Sequence, residues 1–100
     1  MSFELYCGDR QAAIAPHEDF IFSFVIDDPR FPGLNELWQQ YYADPTISPA
    51  QANALVHELL LLKDTLDSAT WARTQVVGDR LLSFFSAAYR EQQVIRCTSD

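Results

Sequence analysis

One hundred residues, 48% apolar and 21% charged, read as a single folded domain (residues 1–100), since disordered chains are poorer in apolar residues and this length holds one core. The formal net charge of −7 excludes the phosphate-backbone binders, which need clustered Lys and Arg, and it excludes adhesion to anionic lipid. No nucleic-acid or membrane partner is therefore expected. No apolar run approaches the ~20 residues of a membrane span.

In chain order, "FELYC" (residues 3–7) is rich in β-favouring side chains and ends on "GD", a turn signal, so it reads as a first strand. The start "MSFELYCGDR" has neither a basic segment nor a long apolar one, which makes a cytoplasmic location the expectation. "DFIFSFVID" sets Phe20, Phe22, Phe24 and Ile26 on one side at period two and predicts a largely buried strand. Pro16 followed by His17, Glu18 and Asp19 also fits an acidic first helical turn. "DDPRFPG" is a loop in which the aspartates of Asp27-Asp28-Pro29 bond nearby backbone N–H groups.

A short helix follows over "LNELWQQYYA", where Leu34, Leu37, Trp38 and Tyr41 fall on one stripe. Pro45 disfavours helix at Asp44 and stops it. Ser48-Pro49 restarts the chain as a helix that runs to Leu66, with the serine hydroxyl as cap and Pro49 at the first position. Leu55, Leu59, Leu62 and Leu66 make its stripe; Leu60 and Leu61 lie off it, as in a helix central to its domain or one carrying a partner surface. "DSAT" reads as a turn with caps from Ser68 or Thr70, and a third helix spans Trp71 to Gln92 with Val77, Leu81, Phe84 and Ala88 in line. Gly78 weakens that helix locally or admits close packing. "VIRC" is β-prone and pairs, on this reading, with "FELYC". The fold class expected is α+β, predominantly helical: about three helices with a small N-terminal sheet, extended by the C-terminal tail.

That pairing would bring Cys7 and Cys97 near each other without requiring a bond. Two free thiols in a reducing cytosol are the expectation, with a terminal disulfide the alternative. Nucleophile and phosphate-loop signatures are missing, since Gly8, Gly33 and Gly78 are scattered and neither cysteine neighbours a histidine. His57 would need a ligand at position 53 or 61 to share a helix face, and finds Asn53 and Leu61. No catalytic residue, cofactor or metal is expected, and surface positions are expected for His17 and His57.

Charge is uneven along the chain. Residues 1–50 carry eight acids against two bases, a balance of −6; residues 51–100 carry six against five, a balance of −1. The acidic half is a solvated surface that aids solubility or a face that steers a basic partner. Trp38 and Tyr42, spaced i, i+4, belong to the core edge or anchor a partner, because Trp and Tyr are enriched in binding hot spots. The candidate partner-binding residues are Glu18, Asp19, Asp27, Asp28, Glu36, Trp38, Tyr42, Asp44, Leu60 and Leu61.

"FPGLNELWQQYYADPTISPAQANALVHEL" (Phe31 to Leu59) resembles a pattern in small acidic bacterial proteins of the immunity-protein type: a short helix ending near an aromatic, an Asp-containing loop, and a Ser-Pro start to a leucine-rich helix. "YCGDR" (Tyr6 to Arg10) is similar to the starts of some of these chains. The chain departs from the pattern at Ala50, Gln51, Ala52 and Asn53, where such helices are often denser in acid. The resemblance implies a non-catalytic inhibitor that blocks a cognate toxin, and an acidic surface suits a toxin with a basic cleft. A homo-oligomeric structural or regulatory protein, with a two-fold interface at Leu60 and Leu61, is the first rival expectation. An enzyme with a site assembled from distant residues, such as His17, His57 and the acids, is the second.

Overall fold

The computed structural model describes residues 2–99, among which helix predominates over sheet. β1 (Phe3–Cys7) and β2 (Arg10–Ile14) form an antiparallel hairpin closed by Gly8 and Asp9. Gly8 takes φ +58°, a left-handed value that glycine adopts without steric strain and that primed hairpin turns require. β1 also pairs with β4 (Ile95–Ser99), and β4 with the two-residue β3 (Thr46–Ile47), so the strand order is β2-β1-β4-β3, antiparallel throughout. The predicted pairing of "FELYC" with the tail is thus observed, whereas β2 escaped the sequence reading because Ala12 and Ala13 have little β preference.

The segment read as a strand is a 3-10 helix over Pro16–Phe24. Its period-two phenylalanines do not decide its geometry. Glu18 accepts a hydrogen bond from the Ala15 backbone N–H at 3.0 Å and is gripped by Arg80, which closes the first turn. Packing then selects Ile21, Phe22 and Val25 for the core, a helical spacing.

α1 spans Pro32–Gln39 and ends before the aromatic pair Tyr41-Tyr42, which lies in the following turn rather than in the helix as expected. Asp44 then takes φ +50°, a left-handed conformation that aspartate tolerates, and the chain enters β3. α2 (Pro49–Thr65) starts as predicted, with Ser48 Oγ accepting from Gln51 N–H at 3.1 Å and Gln51 Oε1 accepting from Ser48 N–H at 2.8 Å. α3 runs over Ser68–Arg90 and is capped by Asp67, not by Ser68 or Thr70: the Asp67 carboxylate reaches one turn ahead to Thr70 N–H at 2.7 Å. Its C-terminal end turns at Gln92 (φ +52°), where Gln93 N–H reaches back to the Ala88 carbonyl and aims the chain at β4.

One face of the sheet contributes Phe3, Leu5, Ile14, Ile95 and Cys97 to a core shared with Leu59, Leu62, Leu81 and Phe85 from α2 and α3. Gly78 faces the indole of Trp71, about two turns earlier on the same face of α3; an added Cβ would lie 2.6 Å from Trp71 Cη2. Both cysteines are buried and free. Cys97 stands opposite Leu5, so it is two register positions from Cys7, a diagonal of about 7–8 Å that a disulfide does not span. No helix of the described residues is long and apolar enough to cross a membrane.

Candidate functional site

Of the features read as functional, the structure brings together the aromatic residues after α1. Tyr41 is the hub. Its ring stacks on Phe3 at 4.4 Å between centroids, meets Phe22 edge-on at 5.8 Å, and lies 5.1 Å from Trp38 and 5.4 Å from Tyr42. Phe22 in turn stacks on Trp38 at 5.0 Å. The five rings run from core to solvent: Phe3 and Phe22 are buried, Trp38 is half-buried, and Tyr42 is 65% exposed. A tyrosine that is exposed yet braced by a buried neighbour offers contact area while little of its conformational freedom remains to be lost.

The rotation of α1 sets which of its side chains lie beside this ledge. Leu34, Leu37 and Tyr41 point inward, and at 100° per residue Asn35 and Trp38 share one flank while Glu36 and Gln40 share the other. Asp27, at φ +60°, donates its backbone N–H to Asn35 Oδ1 and so lies beside α1 with Pro32, Asn35 and Gln39. Asn35 also donates through Nδ2 to the carbonyls of Val25 and Phe31, at 2.8 Å each, fixing the loop to the helix. Asp19, on the 3-10 segment, reaches Tyr41 with its charge.

The remaining predicted positions are engaged elsewhere. Glu18 is bridged to Arg80 at 2.6 Å, and the guanidinium holds its carboxyl below the usual range. Asp28 pairs locally with Arg30 at 2.8 Å and accepts from the Arg30 backbone N–H, the turn role expected of it. Glu36 lines a small hollow of about 40 Å³ with Gln40, Pro45 and Gln51, on the opposite flank from Trp38. Asp44 turns toward β4, accepting from Ser99 N–H at 3.3 Å and helping burial push the Cys97 thiol up to about 12. Leu60 and Leu61 are 49% and 38% exposed on a different helix, α2.

Two residues of consequence escaped the sequence reading. Tyr41 fell on the buried stripe, but its hydroxyl was not considered: Tyr41 Oη is shut off from solvent with no hydrogen-bond partner among the described residues. Burial first, then the charge of Asp19, pushes the phenol up to about 12. The second is Glu58, 8% exposed, whose two carboxylate oxygens accept from Gly33 N–H and Leu34 N–H, at 2.9 Å each. α1 begins at Phe31-Pro32 with no side-chain cap of its own, and Glu58 supplies the missing acceptors from α2. The signal was present, because Glu58 falls between Leu55, Leu59 and Leu62 on the buried stripe.

His17 and His57 are both exposed, one on the 3-10 segment and one on α2. Among the described residues no three His, Cys, Asp or Glu side chains gather closely enough to hold a metal ion. Comparison with known proteins finds no matching family model, curated protein or solved structure.

Proposed function

We propose that this is a non-catalytic, cytoplasmic protein-binding module of the inhibitor or immunity type, whose partner is a basic protein. The observation that carries the reading is the Trp38–Tyr42 ledge: two hot-spot residue types, one 65% exposed and both in ring contact with Tyr41, on a chain of net charge −7. Acidic charge raises the rate of encounter with a basic surface and rejects acidic ones, while an aromatic centre slows release. A toxin that attacks nucleic acid has the basic cleft this surface complements.

The test is titration of the purified protein against the basic product of a neighbouring gene or of endogenous-level affinity capture. A defined complex is expected, with an association rate that falls as salt rises. Absence of any retained protein overturns the reading. A second reading, a homo-oligomer through α2, is favoured by the exposure of Leu60 and Leu61; light scattering that shows a stable dimer without partner supports it instead.

A further inference from the structure

We propose that the Glu18–Arg80 ion pair is an edge plug: it occupies backbone groups through which the free edge of β2 would otherwise add the β2 strand of a second copy of this chain. The inference stands apart from the binding reading above. β2 ends the sheet and pairs only with β1 among the described residues. Across the two-residue turn Cys7 and Arg10 are the closing pair, which exchanges both hydrogen bonds, and alternation turns Ala12 and Ile14 inward in the same way. Gln11 and Ala13 therefore direct their N–H and C=O groups away from β1. The position of Arg80 agrees, since its Nη1 reaches the Ala13 carbonyl at 2.9 Å.

An unpaired strand edge is a template for another strand. Here part of that template is already matched. The Arg80 Nη1 that donates to Ala13 also meets Glu18 Oε1 at 2.6 Å, and Glu18 Oε1 accepts from Ala15 N–H at 3.0 Å. Ala15 continues the extended backbone of β2, at φ −70° and ψ 158°. The guanidinium thus stands where a neighbouring strand would place an N–H, and the carboxylate where it would place a C=O. The opposite edge is closed in a related way: beside the two-residue β3, Cys97 N–H donates to the Pro45 carbonyl at 3.0 Å and Ser99 N–H to Asp44 Oδ1 at 3.3 Å. On β2, Gln11 N–H, Gln11 C=O and Ala13 N–H meet no partner among the described residues. Arg80 borders two hollows along this edge, about 640 Å³ beside Gln11 and His17 and about 340 Å³ beside Arg10 and Ser83.

The strand that fits β2 is β2 itself. With Ala12 opposite Ala12 of an antiparallel second copy, Gln11 pairs with Ala13 twice about a two-fold axis. None of the fourteen acids lies on β2, and Arg10 then faces Ile14, so no like charges stand opposite one another. Each of the two pairs needs the Ala13 carbonyl that Arg80 holds.

The test removes the plug. Arg80→Met keeps an unbranched apolar stem and deletes the guanidinium. Sedimentation equilibrium of the full chain is expected to show dimerisation at least about tenfold tighter than in the original protein. Amide hydrogen exchange should slow at Gln11 and Ala13 as the variant dimerises. Ala13→Pro, added to Arg80→Met, removes an outward N–H without touching the bonds to β1 and should restore the monomer. If Arg80→Met does not fold, Glu18→Gln carries the test, since it keeps an acceptor for Ala15 and releases the charge that holds Arg80; a smaller gain in association is then expected. A folded plug variant that stays monomeric overturns the inference. So does association that Ala13→Pro leaves intact, or exchange at Gln11 and Ala13 that slows in the original protein as its concentration rises.

Discussion

The two ends of α1 are held by opposite means. At the N-terminal end the backbone donors of Gly33 and Leu34 are buried and satisfied by one carboxylate from α2, and the contact is polar, closed and complete. At the C-terminal end the helix dissolves into tight turns (Gln40 N–H to Glu36, Tyr41 N–H to Trp38, Ala43 N–H to Gln40) and is held by ring contacts, one of which carries a buried hydroxyl with no partner. A helix needs only one end locked for its axis to be set. The other end can then present side chains, and here it is the unsatisfied, aromatic end that faces outward.

The locked end should break most severely. Glu58→Ala leaves two helix-start donors without their acceptor and is expected to destabilise the fold by about 2–3 kcal/mol in urea unfolding, with Glu58→Gln intermediate because one acceptor oxygen survives. Gly33→Ala attacks the same clamp sterically: the new Cβ would lie 2.6 Å from Glu58 Oε2 and 3.2 Å from Leu55 Cδ2, for an expected loss of about 1–2 kcal/mol even though alanine is the better helix former.

The wall facing the open end depends on pH. Glu18 has its folded pKa lowered, first by the Arg80 hydrogen bond, so its contribution to stability is complete above its ordinary value of 4.5 and is lost as pH falls through the lower folded value. Urea midpoints should therefore drop below that pH, and Glu18→Gln should flatten the drop. At the open end itself, Tyr41→Phe removes a hydroxyl that bonds nothing and is expected to stabilise by up to about 1 kcal/mol. Of the four tyrosines, the one lost in that variant should be the one ionising near 12 in an alkaline ultraviolet titration. A destabilised Tyr41→Phe protein would mean that the hydroxyl is engaged after all. The smallest effect belongs to Tyr42→Ala, within about 0.5 kcal/mol in stability because the ring is mostly exposed, yet large in partner binding.

How much could be read in advance follows from the range of each signal. The Ser48-Pro49 helix start, the leucine stripe of α2 and the tail strand were legible because caps and periodicity act over a few residues. The strand expected over Phe20–Ile26 was a misreading of alternation that has no partner strand to satisfy it; Arg80, 62 positions away, helps settle that segment by holding Glu18. The candidate site was legible in Trp38 and Tyr42 and illegible in its acids. Of the eight acids in the first half, Glu18 and Asp28 are spent on ion pairs, and Asp44 is turned to β4.

The sequence by itself determined that this chain is an acidic, mostly helical α+β domain, where α2 begins, and which side of α2 and α3 is buried, since composition, caps and helical period are local properties. Tertiary structure alone decided that Pro16–Phe24 is helical, that Glu58 completes α1, and that Glu18 meets Arg80, Asp27 meets Asn35 and Asp44 meets Ser99. Those outcomes join residues 8 to 62 positions apart, and only packing determines which of several equally acidic side chains meets which partner.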